Sequence, residues 1–155
     1  MLNNQNPLVS VIMNCHNGEK YLDESLKSLF DQSYYNWELI FWDNFSSDKS
    51  FEILNSYQDK RIRYFKSDKF EKLYKARNSA IGKTSGNFIC FLDTDDIWDK
   101  NFLVKHINTA LKYNSNITYS KFLIKNEINK KTYVNFVNKL PAGEITNDLL
   151  KRYSV

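Results

Sequence analysis

Glycine and proline are scarce in this chain: its 155 residues hold 4 Gly and 2 Pro. There is no glycine-rich dinucleotide fingerprint after the first apolar run, no phosphate loop ending in Gly-Lys-Ser/Thr, and no nucleophile elbow. A phosphate bound by this chain must therefore be met by side chains or a metal ion rather than by a glycine cradle, and the turns must lean on Asn, Asp and Ser. Cysteine is as sparse. Cys15 and Cys90 are the only two, too few for a disulfide framework or a zinc cluster, and they read as buried reduced thiols of a cytosolic protein. No apolar stretch is long enough to span a bilayer, and residues 1–7 lack the basic-then-apolar order of a signal peptide. The formal net charge is +4, spread without any basic run, so nucleic acid is not expected as a partner.

What the chain does have is a globular balance of 42% hydrophobic and 26% charged residues, enough for one domain with a sizeable core. Leu8 to Met13 is short, apolar and β-branched, a buried strand. Asn14 to Gly18 form a polar loop, and Leu22, Leu26, Leu29 and Phe30 share one face of a helix. Trp37 to Trp42 are a second strand ended by Asp43-Asn44. Ser46 or Ser47 can cap a helix bearing Phe51, Leu54 and Tyr57. Ile62 to Phe65 are a third strand, Glu71 to Ile81 a helix with Gly86 ending the segment, and Phe88 to Leu92 a fourth strand. Leu103, Ile107, Ala110 and Leu111 mark the next helix. Thr118 to Lys125 and Thr132 to Asn138 alternate around Asn126-Glu127-Ile128-Asn129 as an antiparallel pair, and Glu144 to Arg152 suggest a last helix. The alternation predicts an α/β fold, a mostly parallel sheet flanked by helices on both faces. A flexible stretch over 1–7, a core over 8–98 and a further region over 99–155 make up one expected domain.

The most informative segment is Phe88-Ile89-Cys90-Phe91-Leu92 followed by Asp93-Thr94-Asp95-Asp96. A buried strand delivers carboxylates to one place, where they repel unless a cation sits among them, and a hard divalent metal shared with a phosphate resolves that. Two other strand ends carry polar loops, Asn14, His16, Asn17 and Glu19 on one and Asp43, Asn44 and Ser46 on the other. In open α/β sheets ligands bind along this edge. Each residue also has a plainer explanation. Asp43 can cap a turn, Asp96 or Asp99 can cap the following helix, and His16 can be an ordinary loop residue. Arg77 can be a solvated face residue, and Trp42 and Trp98 read as packing.

Five segments in order are similar to the family 2 glycosyltransferases. They are Val9–Asn17, Tyr21–Leu29 with Gln32-Ser33-Tyr34, Trp37–Asp48, the Ala76-Arg77-Asn78 helix, and Gly86–Asp96 with its Asp-x-Asp. The resemblance implies a GT-A fold that stops short on the acceptor side, and a metal-dependent, inverting transfer from a nucleotide-diphosphate sugar, UDP-sugar foremost, to an acceptor hydroxyl. It implies nucleotide-sugar contacts from Asn14, His16, Asn17, Glu19, Asp43, Arg77, Asp93 and Thr94, and Mg²⁺ or Mn²⁺ at Asp93, Asp95 and Asp96. It further implies a glycan, lipid-linked or protein-linked acceptor, a bacterial surface-polysaccharide role, and a cytoplasmic setting that leaves a peripheral contact with the inner face of the membrane open. The catalytic base is expected beyond Val155, so the alternative is a non-catalytic sugar-nucleotide-binding fragment. The chain departs from the pattern at Asn14-Cys15-His16, where Pro-Thr/Ser-Tyr is commoner, and at Phe45, where glycine is frequent.

Overall fold

In the computed structural model the described residues are 6–126, 128–134 and 143. Strand β1 (Val9–Cys15) leads through helix α1 (Leu22–Phe30) to β2 (Trp37–Asp43). Helix α2 (Ser50–Asn55) leads to β3 (Ile62–Lys66), and α3 (Leu73–Ile81) leads to β4 (Phe88–Phe91). These strands form a parallel sheet in the order β3-β2-β1-β4. The chain thus builds outward from β1 to β3 and then crosses back to the far side of β1. That reversal puts a topological switch point between the carboxyl ends of β1 and β4, where the two crossovers diverge and leave a crevice.

The period-2 alternation of side chains divides the core. Val9, Val11, Met13 and Cys15 of β1 and Trp37, Leu39 and Phe41 of β2 pack on one face with Leu22, Leu26 and Leu29 of α1, Leu54 of α2, and Leu103 and Ile107 of helix α4 (Phe102–Tyr113). Ile12 and Ile40 point to the other face and pack with Ala80 of α3, with Trp42 and Phe65 against them. Both faces are covered, as the near-continuous apolar strands require. Both cysteines are free thiols. Burial pushes the Cys15 thiol up and the Cys90 thiol up to about 12, so neither is a ready nucleophile.

The α3 face carries one buried charge. Glu38 accepts hydrogen bonds from Ser10 Oγ at 2.6 Å, Arg63 at 2.8 Å, and Ser85 N and Oγ at 2.7 and 2.9 Å. Burial alone would raise this carboxyl, but these donors outweigh it and hold it at about 2. A depressed carboxyl stabilises the fold above its unfolded value of about 4.5, and that stabilisation is lost as pH falls from there toward 2. Glu38→Gln is therefore expected to cost roughly 2–3 kcal/mol at pH 7. Urea denaturation of both chains down the pH scale should show that difference shrinking below pH ~4.5 and vanishing near pH ~2.

Several boundaries differ from the sequence expectation. Neither Ser46 nor Ser47 caps α2: the helix starts later, and Asp48 Oδ1 accepts from Ser50 N at 3.0 Å. Glu71 and Lys72 precede α3 rather than joining it, because Glu71 is tied to Asn44 instead. The helix ends at Gly82, and Gly86 serves close approach, since a Cβ there would lie 2.7 Å from Ser10 N. Asp99 is not the N-cap of α4. Its Oδ1 accepts from Asn101 N at 3.1 Å, closing the turn just before the helix, so the capping chemistry is right and the position two residues early. Residues 118–122 are irregular, and the first strand of the antiparallel pair is only β5 (Leu123–Lys125), paired with β6 (Thr132–Val134). The expected helix over Glu144 to Arg152 lies outside the described residues. The chain falls into two compact units, Met1–Asn116 and Ile117–Val155. No described helix is long and apolar enough to cross a membrane.

Candidate functional site

The loops after β1 and β2 are zipped together by reciprocal hydrogen bonds. Asn17 N donates to Ser46 Oγ at 3.0 Å, Gly18 N to Ser50 Oγ at 2.9 Å, and Glu19 N to Asp48 Oδ2 at 2.9 Å. In return Ser47 N donates to Asn17 Oδ1 at 2.9 Å and Lys49 N to Glu19 Oε2 at 3.0 Å. These side chains fix the backbone of both loops. Asn17 and Glu19 are thereby engaged in holding one loop against the other.

Asp43 is the post on which the second loop turns. It is 1% exposed. Its Oδ1 accepts from Ser46 N at 2.7 Å and its Oδ2 from Tyr64 OH at 2.8 Å, with Lys66 Nζ 3.9 Å away. The turn-capping explanation of Asp43 is thus realised in the fold. Burial, followed by the hydrogen bond to Asp43, pushes the Tyr64 hydroxyl well above the usual tyrosine range, which keeps it a donor.

Phe45, which stands where glycine is frequent, keeps the glycine conformation at φ 67° with its ring half exposed. A left-handed residue with a Cβ costs about 1–2 kcal/mol, partly offset by the entropy a glycine would lose. Phe45→Gly is therefore expected to stabilise the chain by up to about 1 kcal/mol, read as a rise of roughly 2–4 °C in melting temperature.

Asn44, one of the polar residues at the end of β2, links three segments. Its carbonyl lies 3.0 Å from His16 Nδ1. Its side chain donates to Glu71 O at 2.8 Å and accepts from Glu71 N at 3.0 Å. That double clasp brings Phe70 against His16, ring centroids 4.5 Å apart and tilted by 56°. Phe70 is 58% exposed and has no core neighbour that would explain it.

The acidic loop after β4 is held from below by α1. Ser25 Oγ donates to Asp93 O at 3.0 Å, and Ser28 Oγ accepts from Trp98 N at 3.1 Å. Gln32 donates to Asp99 O at 2.8 Å and accepts from Leu103 N at 3.0 Å. The sequence signal was available: Ser25 and Ser28 interrupt the apolar face of α1 and Gln32 follows just past its end, and all three are buried. Trp98 packs, stacked on Phe102 at 4.3 Å. Asp93 receives Arg77 at 2.8 Å, so Arg77 is paired at the site rather than solvated. Thr94 lies against Gly18, where a glycine Cβ would come within 3.4 Å of it. Asn14 Nδ2 and Arg77 Nε are buried and make no hydrogen bond, two donors left over at the switch point.

Asp95 and Asp96 are exposed. Partial burial, then the charges of Asp93 and Asp95, raise the Asp96 carboxyl. The structure does not draw three carboxylates together: among the described residues no group of three or more His, Cys, Asp or Glu is close enough to hold a metal. Asp93 is committed to Arg77. The exposed pair Asp95 and Asp96 still suits a cation such as Mg²⁺, which keeps waters and takes one or two carboxylates plus phosphate oxygens. Two shallow concavities lie off this edge, one of about 450 Å³ lined by residues including Phe51, Tyr57 and Tyr64, the other by Glu19, Lys20, Lys49 and Ile53. Neither collects the acidic loop or Arg77.

The family model for glycosyl transferase family 2 matches residues 10–152. The chain belongs to that family. This family 2 chain is 38% identical over 149 residues to the Escherichia coli UDP-Glc:alpha-D-GlcNAc-diphosphoundecaprenol beta-1,3-glucosyltransferase WfgD, covering 96% of the chain and 57% of WfgD. It is 30% identical over 120 residues to WfaP, an E. coli enzyme with the same stated activity, covering 77% of the chain and 48% of WfaP. Among solved structures it resembles Staphylococcus aureus TarS 1–349 in complex with UDP-GlcNAc, with a TM-score of 0.66 and 28% identity, over 68% of this chain and 32% of that one. The parallel sheet with flanking helices is the GT-A arrangement that the sequence resemblance implied. The chain spans about half the length of the curated relatives it matches.

Proposed function

We propose that this chain forms the donor side of a metal-dependent, inverting glycosyltransferase that takes a sugar from a UDP-sugar and passes it to an acceptor hydroxyl in bacterial surface-polysaccharide synthesis. The observation that carries the reading is the meeting of Arg77, Asp93 and the Asp95-Asp96 pair at the switch point between β1 and β4. The leftover donors Asn14 Nδ2 and Arg77 Nε support it, because a diphosphate supplies the acceptor oxygens they lack. His16 and Thr94 flank the nucleotide, Asn17 and Glu19 hold the loop it lies on, and Asp43 anchors the turn beneath. Asp95 and Asp96, with Asp93 behind them, would hold Mg²⁺ or Mn²⁺, which when bound supplies positive charge to the diphosphate as the glycosidic bond breaks. Arg77 would add a second positive charge for the diphosphate, kept in place by Asp93. The core over 8–98 would carry the donor and the region over 99–155 would begin the acceptor side. The base that deprotonates the acceptor hydroxyl is assigned to the part of the relatives' length that this chain does not span.

The acceptor would be a glycan, lipid-linked or protein-linked, and the setting the cytoplasm at the inner face of the membrane. WfgD's stated diphosphoundecaprenol acceptor supports that placement. Calorimetry with UDP and Mn²⁺ tests the reading: saturable one-to-one binding is expected, and a folded chain that takes up no UDP would refute it. Because the chain covers 57% of WfgD, a second reading is a sugar-nucleotide-binding fragment without turnover. Release of UDP from UDP-sugars by these 155 residues would exclude that second reading.

A further inference from the structure

We propose that Ser25 and Ser28 of α1, with Gln32 just past its end, are positioning residues for the metal: they hold the turn that presents Asp95 and Asp96, and so set how tightly the site takes Mg²⁺ or Mn²⁺. The inference rests on the sugar-nucleotide reading and adds to it a layer of support behind the carboxylates. Ser25 and Ser28 lie one turn apart on α1 and Gln32 follows one turn later, its Nε2 donating to Ser28 O at 3.0 Å. All three are buried, on a segment whose packing Leu22, Leu26 and Leu29 already supply. Apolar residues in their places would spare the cost of burying hydroxyls and an amide, so the polar groups need a reason of their own.

That reason lies in what they bond, which is the backbone on either side of the acidic turn. Ser25 Oγ donates to Asp93 O, and Trp98 N donates to Ser28 Oγ. Gln32 Nε2 donates to Asp99 O and its Oε1 accepts from Leu103 N, so the bonds run on into the start of α4. Among the described residues the loop between β4 and α4 makes two backbone hydrogen bonds within itself, Asp96 N to Asp93 O at 3.1 Å and Phe102 N to Asp99 O at 2.8 Å. The first closes a tight turn with Thr94 and Asp95 at its corner. Its acceptor, the Asp93 carbonyl, is the same one that Ser25 holds, so the turn is pinned at its pivot. Ser28 pins the chain again just beyond Asp96. Adjacent carboxylates repel, and a free turn would let Asp95 and Asp96 part, whereas Mg²⁺ needs its oxygens at near-fixed spacing. A turn held from behind is ordered on folding rather than on binding, and that difference appears as metal affinity.

The test compares the wild type with Ser25→Ala by calorimetry, titrating Mn²⁺ in excess UDP and titrating UDP in EDTA, and by amide hydrogen exchange of the metal-free chains. Ser25→Ala should weaken Mn²⁺ binding about tenfold, and its UDP affinity in EDTA should stay within about twofold of the wild type. Exchange at the Asp96 amide should quicken at least about tenfold while the amides of β1 and β2 keep their wild-type rates. Gln32→Met keeps the side chain's length and removes its hydrogen bonds to Ser28, Asp99 and Leu103, and should weaken Mn²⁺ in the same direction. Should that chain not fold, Ser25→Ala decides the matter. Unchanged Mn²⁺ affinity in Ser25→Ala would overturn the inference. So would an equal fall of UDP affinity in EDTA, which would make Ser25 a support of the fold at large. UDP that binds the wild type with no gain from Mn²⁺ would overturn it too, while leaving the donor site standing. A folded wild type that binds no UDP, with or without Mn²⁺, refutes the donor-site reading and this inference with it.

Discussion

Asp43→Ala is expected to lower stability by about 3 kcal/mol and the melting temperature by roughly 6–12 °C. The carboxylate is buried and serves two donors, Ser46 N at 2.7 Å and Tyr64 OH at 2.8 Å. Removing it leaves two part-buried donors without that acceptor, and each such loss costs about 1–3 kcal/mol. Asp43→Asn should be milder, at about 1–2 kcal/mol, because one oxygen can still take the Ser46 amide while the Tyr64 hydroxyl can rotate to accept from the new NH₂. Thermal denaturation of the three chains checks the order wild type, Asn, Ala. The same substitution should also weaken UDP binding. Ser46 loses its anchor, and with it the bond that fixes Asn17.

Asp95→Ala should do the opposite: nearly no change in stability, and a large loss of metal-dependent binding. Asp95 is exposed and receives no hydrogen bond from a described residue, so its removal should shift stability by less than about 0.5 kcal/mol. Its loss should weaken UDP binding in Mn²⁺ by roughly 100-fold or more, as expected for a ligand removed from the metal's own shell. In EDTA the wild type and the variant should bind UDP alike and weakly. A variant that retains full Mn²⁺-dependent affinity would move the metal from Asp95 to another carboxylate. One further consequence is testable by titration: Asp95 is one of the charges that raise Asp96, so the Asp96 carboxyl should fall toward the ordinary range in the variant.

The strands and the carboxyl edge were legible because apolar runs ended by polar residues are unambiguous in a parallel sheet. Leu8 to Met13, Trp37 to Trp42 and Phe88 to Leu92 locate β1, β2 and β4 within about two residues, and their ends bring His16, Asp43 and Asp93 to one side. What could not be read is which polar side chain faces a ligand and which faces another loop. Asn17, Glu19 and Asp43 look like ligand groups by residue type, and the structure shows that they also bond to Ser47, Lys49, Ser46 and Tyr64. The Asn17 and Glu19 pairings span 30 residues and that of Asp43 with Tyr64 spans 21, and they depend on how separate segments stack, which no local pattern encodes. Phe70 and the linking role of Asn44 were missed for the same reason, since they exist only once the segment before α3 folds back over β2. The caps were misplaced by a few residues because Ser46, Ser47 and Asp99 compete with neighbours of equal capping ability, and tertiary contacts choose between them.

The central claim is that the carboxyl edge between β1 and β4 is the sugar-nucleotide site, and amide chemical-shift mapping during a UDP titration in Mg²⁺ tests it most directly. The account predicts saturable shifts gathered at residues 14–19, 43–48, 68–72 and 93–96, with the Arg77 side chain moving with them. Shifts gathered instead along the groove of Phe51, Tyr57 and Tyr64, with the acidic loop unmoved, would contradict it.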